Sequence, residues 1–203
     1  MDDGYSFFAH ENPRESQTGM IRDGIEALRK GDILLAAAPT GIGKTAASLA
    51  SALVAVNSLS TAPETKKILF LTGRQSQHRI VVDTIRDINK RIPPGTPRVR
   101  LVDIIGREGM CKIVDRSTGK CNCETGITES ERRFLRSELE EFIHSEPRHV
   151  NQLLKRAEKI GVCAWATARD SARSTNVIVC DYNHVFVEGV REASLSVMGV
   201  DLE

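Results

Sequence analysis

A phosphate-binding loop is the first candidate for chemistry, and its residues are Ala38, Pro39, Thr40, Gly41, Ile42, Gly43, Lys44 and Thr45. The glycines allow backbone N–H groups to turn inward around phosphates, and a helix starting at the loop adds its partial positive charge. Lys44 is placed to reach the β- and γ-phosphates, and the Thr45 hydroxyl to ligate Mg²⁺. Although Ala38 replaces the first glycine of the strict pattern, residues 39–45 are predicted to bind ATP and Mg²⁺.

Four of the five cysteines form a second candidate site: Cys111, Cys121, Cys123 and Cys163, separated by 9, 1 and 39 residues. Thiolates this close in sequence favour a tetrathiolate site that holds zinc or an iron–sulfur cluster. The alternative is a set of scattered free thiols, and the spacing alone does not choose between zinc and iron. Cys180 lies in an apolar run and is expected to be a buried core thiol.

The composition argues against a membrane protein and gives no global sign of nucleic-acid binding. The 203 residues are 40% hydrophobic and 27% charged, with a formal net charge of +1. No stretch approaches the roughly 20 consecutive apolar residues of a membrane span. The acidic N-terminal segment lacks the apolar region of a signal peptide. We therefore expect a cytoplasmic protein with no membrane partner.

Alternating strand and helix patterns must position the phosphate-binding loop. Apolar runs predict buried strands at residues 33–37, 67–72, 99–105 and 176–181. Helical spacing of apolar residues predicts helices at residues 14–30, 44–56 and 76–92. Together these patterns predict an α/β fold of the P-loop NTPase (RecA-like) type, incomplete here, with a parallel sheet and helices on both faces.

The alternation is interrupted between residues 106 and 170, which contain the four cysteines of the second site. Two charged stretches within this region, residues 129–145 and 148–160, have helical spacing. We interpret residues 106–170 as a small, mostly α insertion that carries the cysteines. It separates residues 1–105 from residues 171–203, where the α/β pattern resumes.

Three segments of the first part resemble superfamily 2 helicases. The phosphate-binding loop resembles motif I, and residues 13–17 resemble the adenine-reading segment, which implies that Gln17 hydrogen-bonds the adenine of ATP, with Arg14 nearby in the ATP site. Residues 72–79 resemble motif Ia, a loop that grips single-stranded DNA. The implied DNA contacts are Thr72, Arg74, Ser76 and Gln77, although Ser76 and Gln77 also suit a helix cap.

The insertion is similar to the cluster domain of XPD/DinG-type helicases. The resemblance lies in Gly106–Cys111, in Cys121-Asn122-Cys123, and in Cys163-Ala164-Trp165 followed by Arg169. In that family four cysteines bind a [4Fe–4S] cluster, which implies this role for the four cysteines here. It also implies that Arg107 lies beside the cluster and the DNA strand. Trp165 is expected to pack the insertion against its base.

The resemblance implies the N-terminal part of an ATP-dependent 5′–3′ DNA helicase, with single-stranded DNA as partner and DNA repair as a context. Residues 1–105 and 171–203 would then belong to the first motor domain. A motor ATPase needs an acidic pair at a strand end. Asp181 follows an apolar run but has no glutamate after it. The catalytic set is therefore expected to be incomplete, with negligible ATP hydrolysis and no unwinding by these 203 residues.

Two other interpretations stay open. A P-loop kinase or other NTPase explains Lys44 and Thr45 but leaves the cysteines and residues 72–79 unexplained. A zinc-binding nucleic-acid module with a vestigial phosphate-binding loop explains the cysteines without requiring catalysis. Iron and sulfide content separates the helicase from the zinc module, and selectivity for adenine separates it from the kinase.

Overall fold

The computed structural model describes residues 5–59, 66–111, 113–115, 117–118 and 121–202. These residues form two compact units. The first unit is drawn from Met1–Ile68 and Asp83–Val99, and the second from Leu69–Val82 and Arg100–Glu203. The predicted domain bounds at residues 105 and 170 stay a prediction.

Two helices dominate the first unit, α1 (Glu15–Lys30) and α2 (Lys44–Leu59). Helix α1 ends at Gly31, whose φ of 74° lies in the left-handed region that glycine adopts at little cost. The predicted helices at residues 14–30 and 44–56 are therefore confirmed, with α2 extending slightly further than expected.

Helices α1 and α2 approach each other closely at a small residue. A Cβ added to Gly24 would lie 2.7 Å from Ser51 Oγ, so a larger residue at position 24 would push the helices apart. The Ser51 hydroxyl donates to the Ile21 carbonyl at 3.2 Å, which joins the two helices. Ile21 and Ile25 of α1 are buried. Close packing of α1 and α2 thus fixes the two ends of the segment that contains the phosphate-binding loop.

The predicted buried strand at residues 33–37 is wrong. This segment has no strand structure, and Ile33 and Leu35 are 89% and 91% exposed. An apolar run becomes a buried strand only when neighbouring strands pair with its backbone and cover its faces. The sheet formed by the described residues contains no strand that pairs with this segment.

The second unit contains a three-stranded sheet whose spatial order is β1 (Ile68–Leu71), β3 (Val177–Cys180), β2 (Leu101–Asp103). Strands β2 and β3 are parallel, with Leu101 opposite Val177. Beside β1, the Thr72 N–H donates to the Cys180 carbonyl at 3.0 Å. The predicted parallel sheet is confirmed, and its three strands are shorter than the apolar runs that predicted them.

Seven further α-helices lie within the described residues. Their bounds are α3 (Gln75–Arg91), α4 (Arg107–Met110), α5 (Glu129–Ser145), α6 (Val150–Ile160), α7 (Ala164–Ser171), α8 (Asn183–Phe186) and α9 (Glu188–Ser194). The predicted helices at 76–92, 129–145 and 148–160 correspond to α3, α5 and α6. The four shorter helices were not predicted, because they are too short to show a helical period.

The core of the second unit joins the sheet to the helices of the predicted insertion. Val102 of β2 and Ile178 of β3 belong to the same buried cluster as Leu139 of α5, Leu153 of α6 and Ala168 of α7. These residues are almost completely excluded from solvent. The helices between β2 and β3 therefore share one hydrophobic core with the strands that flank them.

His78 contacts the carboxyl ends of all three strands. Its Nδ1 lies 2.6 Å from Asp103 Oδ1 at the end of β2, and its Nε2 lies 3.3 Å from the Thr72 carbonyl oxygen after β1. Asp181, directly after β3, places a carboxylate oxygen 3.8 Å from the same Nε2. Because both ring nitrogens face acceptors, the doubly protonated imidazolium satisfies this site best.

The surroundings of His78 favour its charged form. Burial opposes protonation, but the hydrogen bond and charge of Asp103, the Thr72 carbonyl and Asp181 outweigh burial and raise the pKa of His78. The second carboxylate oxygen of Asp103 accepts the Val150 N–H at 2.8 Å, at the N-terminus of α6. One buried ion pair thus connects the three strand ends with α6.

No helix among the described residues is long and apolar enough to cross a membrane.

Replacing His78 by asparagine tests this ion pair. The pKa of His78 is higher in the folded protein than the unperturbed value of 6.5, so its contribution is complete below that value and is lost as the pH rises through the folded pKa. We expect His78→Asn to lower the free energy of unfolding by about 3 kcal/mol at low pH and by less at higher pH. Urea denaturation over a pH series measures this difference.

The difference between the wild type and His78→Asn must be used, because burial lowers the pKa of His184 and gives that residue the opposite pH dependence. His10→Asn, which changes an exposed histidine, is the matched control. A difference between wild type and His78→Asn that stays constant across the pH series would contradict a charged His78.

Candidate functional site

The phosphate-binding loop lies between α1 and α2 in the first unit. Gly41 and Gly43 have φ angles of 86° and 83°, which side chains with a Cβ rarely tolerate. The Lys44 ammonium group donates to the carbonyls of Ala38 at 2.9 Å and Pro39 at 2.8 Å. These contacts hold the lysine against the loop, where its charge is available to a phosphate group.

Arg14 and Gln17 contact the same loop from the start of α1. The Arg14 guanidinium donates to the Gly41 carbonyl at 3.0 Å. The Gln17 amide nitrogen donates to the Gly43 carbonyl at 3.4 Å, and its amide oxygen accepts the Arg14 backbone N–H at 2.8 Å. A Cβ at position 43 would collide with the Gln17 amide, so this contact also requires glycine.

The structure therefore brings the predicted ATP-binding residues together in one place. Thr40 is exposed, while Ile42 and Thr45 are half-buried, and Thr45 lies in the first turn of α2. Gln17 is buried and hydrogen-bonded to protein groups. Its proximity to the loop agrees with the predicted arrangement, while its contact with an adenine base stays a prediction.

Three of the four predicted cysteines, Cys111, Cys121 and Cys123, lie close to one another in the second unit, and Cys163 contacts this group through Cys121. Sulfur–sulfur distances are 3.0 Å from Cys111 to both Cys121 and Cys123, and 3.5 Å from Cys121 to Cys163. All four are free thiols. Cys111 follows α4, Cys121 lies opposite Val114 in a short antiparallel bridge, and Cys163 caps α7. Cys123 and Cys163, with 39 residues between them in the sequence, thus contribute to one sulfur cluster.

This donor set fits a thiophilic metal centre. Burial and the neighbouring thiols Cys111 and Cys121 raise the pKa of Cys123, and burial is the main cause that raises the pKa of Cys163. Four thiols in one place are unfavourable as thiolates without a cation, and a bound metal removes this penalty. An all-sulfur set suits zinc or an iron–sulfur cluster.

Cys180 differs from the other four cysteines. It is completely buried in β3, and burial, followed by the charges of Asp181 and Asp103, raises its pKa to about 12. The structure therefore confirms the expectation that Cys180 is a core residue.

Arg107 lies beside the sulfur cluster, but its guanidinium packs on a ring. The guanidinium carbon of Arg107 lies 4.1 Å from the centre of the Trp165 ring, and that of Arg169 lies 4.3 Å from it. Burial lowers the pKa of Arg169. Trp165 is itself buried, which agrees with a packing role and leaves little of the ring for a nucleic-acid base. Contact between Arg107 and DNA stays a prediction.

The predicted DNA-contacting segment begins directly after β1. Thr72 is buried, and its hydroxyl accepts the Arg74 N–H at 3.4 Å. Arg74, Ser76 and Gln77 are exposed, and the latter two lie in the first turn of α3. Ser76 and Gln77 are therefore inside the helix and not in the capping position before it.

Asp181 does not stand next to a second carboxylate. It follows β3 at the expected strand end, but the next residue is Tyr182 and its side chain lies beside His78. The expectation that Asp181 does not form the acidic pair of a motor ATPase stays a prediction.

Sequence reasoning missed two ion pairs, one buried and one partly buried. One is His78–Asp103, and the other is Glu124–Arg136, which lies beside the cysteines. The two residues of each pair lie in different parts of the fold, and no periodic pattern in the sequence relates their positions. The one available sign was the position of Glu124 directly after Cys123.

Comparison with known proteins gives a family and a fold. Residues 95–201 match the family model DEAD_2. A solved structure titled XPD_Helicase is similar with a TM-score of 0.61 and 20% identity, covering 96% of this chain and 31% of that chain. A second, titled Truncated XPD, has a TM-score of 0.54 and 18% identity, covering 90% of this chain and 48% of that chain. These matches confirm the predicted resemblance.

The chain spans less than a third of the first of these structures and about half of the second. No curated protein matches the chain by sequence.

Proposed function

Because this chain belongs to the DEAD_2 family, we propose that it is the ATP-binding and cluster-bearing part of an XPD/DinG-type DNA helicase. In this proposal residues 1–105 and 171–203 belong to the first motor domain and residues 106–170 form the cluster insertion. The activity of the whole protein would be 5′–3′ unwinding driven by ATP.

The convergence of the four thiols carries this proposal. They come from both sides of the helical segment between two paired strands, and a small-molecule kinase has no use for such a centre. Cys111, Cys121, Cys123 and Cys163 would hold a [4Fe–4S] cluster. When bound, the cluster would supply a rigid cross-link between the two ends of the insertion.

The phosphate-binding loop supports the nucleotide part of the proposal. Lys44 would contact the β- and γ-phosphates, and Thr45 would ligate Mg²⁺. The N-terminus of α2, which has 16 residues, would add its dipole. Gln17 and Arg14, already in contact with the loop, would select adenine and position the nucleotide.

The segment after β1 supports the DNA part. Exposed groups of Arg74, Ser76 and Gln77 are suited to phosphate contacts, and Thr72 holds the start of the segment. Such contacts would favour single-stranded DNA without reading its sequence. Arg107 would assist from the insertion.

Metal analysis tests the central proposal. Protein purified without oxygen is expected to contain iron and labile sulfide and to show the visible sulfur-to-iron absorbance. Cys121→Ser is expected to lose most of this absorbance, because one of four ligands is removed. Cys180→Ala, which changes a thiol outside the cluster, is the matched control and should keep it. Zinc without iron or sulfide would instead favour the zinc-binding nucleic-acid module.

Nucleotide binding tests the phosphate-binding loop separately. Lys44→Ala removes a charged phosphate donor, and the loss of such a contact costs about 1.5 to 3 kcal/mol, or about 10- to 100-fold in Kd. Calorimetric titration with ATP and Mg²⁺ measures the change. Lys30→Ala, which breaks an exposed pair with Glu26, is the control. Equal affinity of the Lys44→Ala and wild-type proteins would exclude the loop as the nucleotide site.

The salt dependence of DNA binding tests the segment after β1. Each neutralised phosphate of a single strand contributes about −0.7 to the slope of log K against log salt concentration. Arg74→Ala is expected to make that slope less negative by about 0.7, as measured by fluorescence anisotropy with a labelled oligonucleotide. Arg133→Ala, an exposed arginine paired with Glu129 on α5, is the control. An unchanged slope for Arg74→Ala would remove Arg74 from the interface.

A further inference from the structure

A partly buried carboxylate lies beside the sulfur cluster. Glu124 follows Cys123 in sequence, and its side chain is only 12% exposed. Its Oε1 accepts the backbone N–H of Cys163 at 3.0 Å. This hydrogen bond joins the residue next to one thiol with the backbone of another thiol that is 39 residues further along the chain.

Arg136 holds this carboxylate through two hydrogen bonds. Its Nε donates to Glu124 Oε1 at 2.8 Å, and its Nη2 donates to Oε2 at 2.7 Å. This two-point geometry fixes the orientation of the carboxylate as well as its position. A second arginine of α5, Arg132, lies 3.3 Å from Oε2.

Arg136 also reaches the far end of the helix that Cys163 begins. Its Nη1 lies 3.5 Å from a carboxylate oxygen of Asp170, near the C-terminal end of α7. Helix α7 is therefore tied to α5 near both of its ends, at Cys163 through Glu124 and at Asp170 directly. This arrangement fixes both the position and the direction of α7.

The four thiols need this support to different degrees. Cys111, Cys121 and Cys123 lie within 13 residues of one another, and the short bridge between Val114 and Cys121 brings them together. Cys163 arrives from a distant part of the chain, at the start of α7, and among the described residues no short bridge pairs its backbone with that of the other three. Ligand groups held in advance bind a metal centre more tightly than groups that must be ordered on binding.

We propose that Glu124 is a positioning residue that holds Cys163 in place for the metal centre. Arg136 orients the Glu124 carboxylate, and Arg136 and Arg132 together offset its negative charge beside the thiolates. Loss of this carboxylate leaves Cys163 as the weakest ligand of the four. The inference rests on the proposed metal site and adds residues that are not themselves ligands.

The test compares metal retention in matched variants of the full chain, purified without oxygen. Glu124→Ala removes the contacts with the Cys163 N–H and with Arg136, whereas Glu124→Gln keeps an oxygen that can accept the Cys163 N–H. Glu138→Gln is the control, because Glu138, on α5, likewise pairs with an arginine, Arg156. Iron and zinc content, and the rate of absorbance loss in a chelator, are measured for each protein.

We expect Glu124→Ala to lose metal about 10- to 100-fold faster than the wild type, the effect typical of residues that orient a ligand. The rate of metal loss from Glu124→Gln is expected to lie between those of the wild type and Glu124→Ala. The rate for Glu138→Gln should match that of the wild type. A second readout identifies the weakened ligand. After brief chelation and alkylation, mass spectrometry is expected to find Cys163 modified first in both Glu124 variants.

The outcomes separate this inference from the metal site itself. A wild-type protein without iron or zinc would overturn the metal site. Metal-loaded wild type, together with Glu124 variants that release metal at the rate of Glu138→Gln, would overturn the role of Glu124 and leave the metal site intact. If Glu124→Ala fails to fold, the rate and alkylation order of Glu124→Gln decide the question. Modification of all four cysteines at equal rates in Glu124→Gln would also overturn the role.

Discussion

Strands β2 and β3 are hydrogen-bonded neighbours, although residues 104–176 separate them in sequence. Residues 104–176 must therefore leave the sheet at the end of β2 and return to it at the start of β3, and the two strands are only about 4.8 Å apart. We call these residues the excursion. At the return, the Asn176 side chain accepts the Arg100 N–H at 2.9 Å, and Leu101 stands opposite Val177. Helices α5, α6 and α7 all belong to this excursion. Their packing, and the meeting of the cysteines, depends on the closure of the excursion at the sheet.

Asp103 connects that closure to the rest of the second unit. One of its carboxylate oxygens pairs with His78 and the other accepts the Val150 N–H at the start of α6. A buried carboxylate is stable only when both oxygens are satisfied, and here a strand end, a helix start and an imidazolium satisfy each other. His78 also contacts the Thr72 carbonyl. The ion pair therefore connects the segment proposed to bind DNA with the start of the excursion.

The features that sequence predicted well are those that local rules encode. Gly41 and Gly43 predict a tight turn, and both have positive φ angles in the loop between α1 and α2; helix α5 has its predicted bounds. Strand 33–37 was wrong, because the burial of an apolar run depends on strands elsewhere in the chain. Sequence also located the four cysteines but not the Glu124–Arg136 pair that supports them. That pair joins a loop to a helix, and no period relates its members.

The two proposed sites therefore differ in what their formation requires. The conformation of the phosphate-binding loop follows from glycines with positive φ and from two helices in close contact, all within the first unit. The cysteine site needs an excursion of more than 70 residues to close before Cys163 can meet Cys121. Closing this segment costs chain entropy. A metal bound to all four thiols would stabilise the conformation in which Cys163 meets Cys121. Metal binding and the folding of residues 104–176 would then be one coupled equilibrium, in which the ion pairs at Asp103 and Glu124 stabilise the folded form without the metal.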